Sequence, residues 1–391
     1  MDTVVRSVPA GTLAWLEGEL EAWQAEGRLD AVTAEGIRAR YTARRRFSLA
    51  RLGLGLGGAF LSVGVLWLVA SNLDQLSPQV RFGGIVLLWL AAVVGAEVLA
   101  DRRGGPDVTA LRLLGAAAFG GVVFQAAQSL QVPAYAPHLL GTWAAGALLQ
   151  AYAVRAVAPL LVGLAAGAGW VVWEVGERSG TATAVALALV ALGLLAVSVA
   201  VVHGRVGPPR FAPPWRTAGA VLTLAGLFVA ALPTGDGSTG RQRALLGAGA
   251  AVGAVVAVVV ARDLLGRLEV AAAGAALLLG WLLVLWQPPG ATSSSALTGE
   301  ALARVGVAVA VYLLAALWTA ALGVLRDEPR TTGLATAALV LFTVVQSFAV
   351  FAPVLSGATL FLALGAVLAV SGWVADRGRR GLVTTAREVA A

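Results

Sequence analysis

The chain has no cysteine and no lysine, and it has only two histidines and one methionine. Without cysteine there are no disulfides, no thiol nucleophiles and no cysteine-ligated metal centres. Without lysine, all 28 basic residues are arginine. Charge of either sign is scarce: 13% of residues carry one and 59% are hydrophobic, against about 25% and 45–50% in soluble domains. A chain of 391 residues with so little charge can dress only short loops for water. Most of its surface must face lipid or other helices. The net charge of +7 fits basic residues retained on one side of a membrane, and no nucleic-acid partner is expected. Eight arginines precede Leu52, where the first apolar run opens, so no cleavable secretory signal is expected.

What is present begins with a polar segment. Thr12 can cap a helix whose Leu13, Leu16, Leu20 and Trp23 recur at helical spacing, and Gly27 stands where a helix end favours a left-handed residue. Thr33 can cap a second helix carrying Ile37 and Tyr41. The expectation is a short cytoplasmic helical hairpin within residues 1–48. It is too small to hold a strong core alone, so residues 10–46 would pack on the membrane domain or recruit a cytoplasmic protein.

Apolar segments follow at about 52–71, 80–100, 110–130, 138–154, 156–173, 182–202, 216–232, 243–261, 268–286, 302–324, 333–352 and 357–374. Each approaches the roughly twenty residues that cross the hydrocarbon. The expected fold is therefore an all-α transmembrane bundle of about twelve helices over 49–376, closed by a basic cytoplasmic tail over 377–391. The proline-rich loop Gly204–Trp215 would separate 49–203 from 215–376. With both termini inside, 23 arginines fall on the inner side and five (Arg81, Arg178, Arg241, Arg243 and Arg304) on the outer. This asymmetry supports an even helix count and a bacterial inner-membrane location with both termini cytoplasmic.

The chemistry-bearing motifs are few. Gly53-Leu54-Gly55-Leu56-Gly57-Gly58 satisfies G-x-G-x-x-G, but it lacks the strand and soluble βαβ unit that a dinucleotide site needs. Its Gly53/Gly57 spacing, like Gly163/Gly167, suits close helix packing. His138 and His203 fall on opposite sides of the expected bundle, so they cannot share a metal and read as interfacial residues. No carboxylate pair, nucleophile with base, H-E-x-x-H, G-x-S-x-G or Walker motif is present. No catalytic residue, metal or cofactor is therefore expected.

Two features remain. Glu97 lies within the second span. It is either a functional intramembrane carboxylate or a residue snorkelling toward Asp101, Arg102 and Arg103. Gln125 and Gln128 share a helix face, Gln131 extends it, Gln346 sits at similar depth, and Asn72 and Asp74 end the first span. They either line a solute pocket open to the outer surface or form interhelical hydrogen bonds at about 0.6 kcal/mol each.

Several residues together carry a family resemblance. They are Trp15, Trp23, Gly27, Ile37 and Tyr41, then Ala70-Ser71-Asn72-Leu73-Asp74 with Ser77-Pro78, then Phe119-Gly120 with Gln128. Leu139-Leu140, Trp143 and Arg155 follow, and Gly365, Trp373, Arg379 and Arg380 close the pattern. This resembles a bacterial family of polytopic membrane proteins catalogued as domain of unknown function 2157. Where that family often carries an aromatic and a histidine after the glutamine, this chain has Ser129-Leu130-Gln131. The resemblance implies an inner-membrane protein and no established activity. The expected role is to bind or move a small or lipid-like solute between helices. The alternative is a non-transporting regulator or scaffold acting through residues 10–46. A membrane enzyme on a lipid-linked substrate stands third, for want of histidine, cysteine and paired carboxylates.

Overall fold

The computed structural model describes residues 6–8, 10–43, 77–102, 106–129, 136–232, 263–286 and 299–351, with isolated positions between 251 and 261. Expected spans at 52–71, 243–261 and 357–374 lie outside the described residues, wholly or nearly so. The chain divides into two units, Met1–Ser77 and Pro78–Ala391.

In the first unit, β1 (Arg6–Val8) and β2 (Tyr41–Ala43) pair in parallel, with Arg6 opposite Tyr41 and Val8 opposite Ala43. Parallel strands need a crossover of a dozen or more residues, and α1 (Ala10–Ala25) with α2 (Ala31–Arg38) provides it. The strands are too short to show as an alternating apolar pattern, so the helix-only expectation passes over them. Two caps differ from expectation. α1 begins before Thr12. The cap of α2 is Asp30, whose carboxylate accepts the Thr33 backbone N–H at 2.6 Å. Thr33 is thus the capped residue and not the cap. Gly27 does take a left-handed φ of 70°. Leu20 and Ala34 are fully buried, while Trp15 and Val32 are exposed.

The second unit is built of helices. They are α3 (Pro78–Arg102), α4 (Pro106–Ser129), α5 (Pro137–Ala153), α6 (Val157–Ser179) and α7 (Ala182–His203). A one-turn 3-10 helix, Pro209–Phe211, leads into α8 (Ala212–Ala231). α9 (Leu264–Leu285), α10 (Gly299–Leu325) and α11 (Pro329–Phe351) follow. Seven segments among the described residues are long and apolar enough to cross a membrane. Proline opens α3, α4, α5 and α11, where its fixed φ suits a helix start and its missing N–H costs nothing. α5 and α10 end on non-glycine residues in the left-handed region, Arg155 at φ 50° and Asp327 at φ 52°.

Small residues set the closest contacts. α7 and α8, on either side of the proline-rich loop, pack extensively. A Cβ at Gly226 would lie 2.6 Å from the Ala186 carbonyl, and one at Gly219 would lie 3.0 Å from the Gly193 carbonyl. Backbones approach this closely only where side chains are absent, which is how helices gain packing energy in lipid. Gly163 behaves alike, since a Cβ there would sit 3.0 Å from the Leu148 backbone nitrogen. The α4–α5 contact is aromatic on glycine. Phe119 covers Gly146, and Trp143 covers Gly120 while donating its indole N–H to the Ala116 carbonyl at 2.8 Å. Among the described spans α7 is the most buried, and it packs on α6, α8 and α9. Tyr312 and Phe342 stack at 3.7 Å between α10 and α11, with Phe228 of α8 edge-on.

Candidate functional site

Five charged residues from four helix ends converge on one side of this bundle, the arginine-rich end. Arg216 lies in the second turn of α8, Glu269 in the second turn of α9 and Arg326 just past α10; Glu328 precedes α11. Glu269 has no exposed side-chain surface and lies between two guanidinium groups. Arg216 Nε donates to Glu269 Oε2 at 2.9 Å and Arg326 Nε to Oε1 at 2.7 Å. Arg216 Nη1 also donates to Glu328 Oε1 at 2.6 Å, and Arg326 Nη2 to Asp263 Oδ2 at 3.1 Å. The chain of contacts reads Asp263–Arg326–Glu269–Arg216–Glu328, three acids against two bases. Taking such ions out of water costs several kcal/mol each, and that cost is offset only where partners satisfy both sides.

Local structure fixes each member. Asp263 caps α9, accepting the Gly266 backbone N–H at 3.1 Å. Burial alone would raise its carboxyl. That N–H and the Arg326 guanidinium outweigh burial and hold it below its ordinary value. Glu328 accepts the Thr331 hydroxyl at 3.1 Å.

Above this base lies a cavity of about 300 Å³ between α7, α8, α9 and α10. Arg216 and Glu269 form its polar end; Thr223 and Thr319 add hydroxyls, and Ala276, Val311 and Trp318 are among its apolar walls. The volume lies at the lower bound of small-molecule pockets. At the opposite end of the bundle Arg304 is 2% exposed. It donates to the carbonyls of Trp286 (2.7 Å), Ala230 (3.2 Å) and Leu283 (3.4 Å), placing a cation where the dipoles of α8 and α9 are negative.

Beside the network, Tyr152, His203, Phe211 and Trp215 form an aromatic cluster. His203 Nδ1 faces the Val199 carbonyl at 2.7 Å and so carries the proton. In the neutral ring Nε2 then accepts the Tyr152 hydroxyl at 3.0 Å, and the Tyr152 oxygen accepts the Trp215 indole N–H at 3.1 Å. His203, read from sequence as interfacial, ends α7 as a buried residue.

Of the residues singled out from sequence, those that the structure describes stand elsewhere. Gln125 is partly buried and Gln128 exposed on α4, which packs on α3, α5 and α6. Gln346 belongs to α11, which packs on α10 and α8; its side chain lies outside the described residues. Asn72, Asp74 and Gln131 also lie outside them. Glu97 pairs with Arg112 of α4 through two hydrogen bonds of 2.9 and 2.8 Å. Among the described residues, no group of three or more His, Asp or Glu could hold a metal. Sequence reasoning passed over the Arg216–Glu269 network because each member abuts a loop and reads as an interfacial charge. The available signal was opposite charges at one level of the bundle, Arg216 and Arg326 against Glu269 and Glu328.

No curated protein and no solved structure matches the chain. The ion-pair network lies beyond the one stretch that a family covers. Over residues 21–160, from α1 into the start of α6, the chain matches the family described as predicted membrane protein (DUF2157), the family its sequence resembles.

Proposed function

We propose that this multi-pass membrane protein binds or moves a small, largely apolar solute with one polar group, held in the cavity among α7–α10. The observation that carries the reading is the pairing of apolar walls with buried Arg216 and Glu269 at one end. A solute's polar group would exchange with the Arg216–Glu269 contact while its apolar body replaces empty space. This reading moves the solute site from the glutamines and Asn72/Asp74 to the arginine-rich end. The protein is proposed as a non-enzyme in the bacterial inner membrane, with about twelve spans, an N-terminal helical hairpin and both termini cytoplasmic. The arginine asymmetry supports that orientation.

Ala276→Trp places an indole in the cavity. Native mass spectrometry of the full chain released from lipid should show a bound small molecule on the wild type and none on the variant. Equal occupancy in both would overturn the reading. A second reading, partner recruitment by residues 10–46, is favoured by exposed Trp15 and Val32. A chain lacking residues 1–46 that keeps full activity in cells would contradict it.

A further inference from the structure

A second cavity, about 550 Å³, runs between α6, α8 and the start of α11. Its long walls are apolar, from Val157, Leu161, Leu164 and Ala168 on α6 to Val221 and Leu222 on α8. From Val157 to Ala168 a helix rises on the order of 16 Å, about half the hydrocarbon core. At the arginine-rich end the walls change character: Asp327 and Arg330 line the mouth. Both are exposed, and neither forms an ion pair among the described residues. Glu328 lies there too, but its carboxylate is engaged by Arg216 and Thr331. Among the described residues the mouth therefore offers an unpaired anion and an unpaired cation three positions apart, at the level where α6, α8 and α11 begin. Asp327 holds a left-handed backbone, φ 52°, a conformation that aspartate adopts more readily than most non-glycine residues.

We propose that this groove binds a bilayer phospholipid whose head group carries both a phosphate and a primary ammonium. An acyl chain lies along α6 and α8, the phosphate faces Arg330 and the ammonium faces Asp327. A phosphate binds guanidinium through paired N–H donors. A primary ammonium offers three donors to a carboxylate, whereas a quaternary ammonium offers none. The chemistry therefore selects phosphatidylethanolamine over phosphatidylcholine, and the acid at the mouth disfavours a purely anionic head group. The site is separate from the cavity among α7–α10, so either assignment can fail without the other.

The test uses the full-length chain in nanodiscs of equal phosphatidylethanolamine, phosphatidylcholine and phosphatidylglycerol, with retained lipid counted by native mass spectrometry. Wild type should retain phosphatidylethanolamine about tenfold over the other two. Asp327→Asn should erase the preference over phosphatidylcholine, Arg330→Gln should weaken retention of all three, and Val221→Trp should block the groove while thermal unfolding stays cooperative. Equal retention of the three lipids by wild type, or unchanged selectivity in Asp327→Asn, would overturn the proposal.

Discussion

At the scale of single residues, Glu269 decides most. Among the described residues its carboxylate is the only acid touching both Arg216 and Arg326, and its side chain has no exposed surface. Removing one partner of a buried pair strands the others, at a cost of about 3–5 kcal/mol. Glu269→Ala should lower stability by that order in detergent unfolding titrations, and Glu269→Gln, which keeps the shape, by less. A loss under about 1 kcal/mol for Glu269→Ala would mean that water already reaches the pair. Asp263 gives the pH dependence. Its carboxyl titrates below the ordinary aspartate range, so its stabilisation is fully present above that range and is lost as pH falls through the lower folded value. Wild type should lose stability below about pH 4, and Asp263→Asn should be less stable at neutral pH with a flatter acid limb. Identical acid limbs would contradict this assignment. Glu97 shows what sequence could not resolve. Its depth and the adjacent Asp101, Arg102 and Arg103 bear on the functional and interfacial readings, whereas its pairing with Arg112 depends on how α3 and α4 pack.

Elements were more legible than residues. The expected segments from 80–100 to 333–352 coincide with helices wherever the structure describes them, because length and apolarity are local properties that lipid enforces. Pairing was harder to read. The glycines of α7 and α8 are scattered in an Ala/Val/Leu-rich background, and only the packed structure shows which meet backbone. Gly226→Leu should therefore separate α7 from α8, at a cost of about 1–3 kcal/mol or more. Gly274, where a Cβ meets nothing within 4 Å, should accept alanine with little change. Equal losses at the two sites, measured by thermal unfolding in nanodiscs, would contradict the close α7–α8 contact. The family-resemblance residues find a physical account here too: Phe119, Gly120 and Trp143 form the aromatic-on-glycine contact of α4 with α5. A short apolar pattern cannot announce β1 and β2, since three-residue strands have no room for alternation.

For the molecule as a whole, composition identified the solvent and the arginines suggested an orientation, but neither located a site. The candidate glutamines were grouped by depth, on the assumption that their helices are neighbours. Among the described residues α4 packs on α3, α5 and α6 while α11 packs on α8 and α10, and the polar groups that converge are charges from the ends of α8, α9, α10 and α11. Loop arginines and span-end acids look like topology signals in a linear reading. Folding turns some of them into the base of a cavity and leaves Arg304 as a helix-end cap at the other side. The most direct test is an experimental structure of the full chain in lipid nanodiscs. The account predicts density in the cavity bounded by Arg216, Thr223, Glu269 and Trp318, with a polar end within about 3 Å of Arg216 or Glu269. A dry, collapsed space with those side chains packed against one another would contradict it.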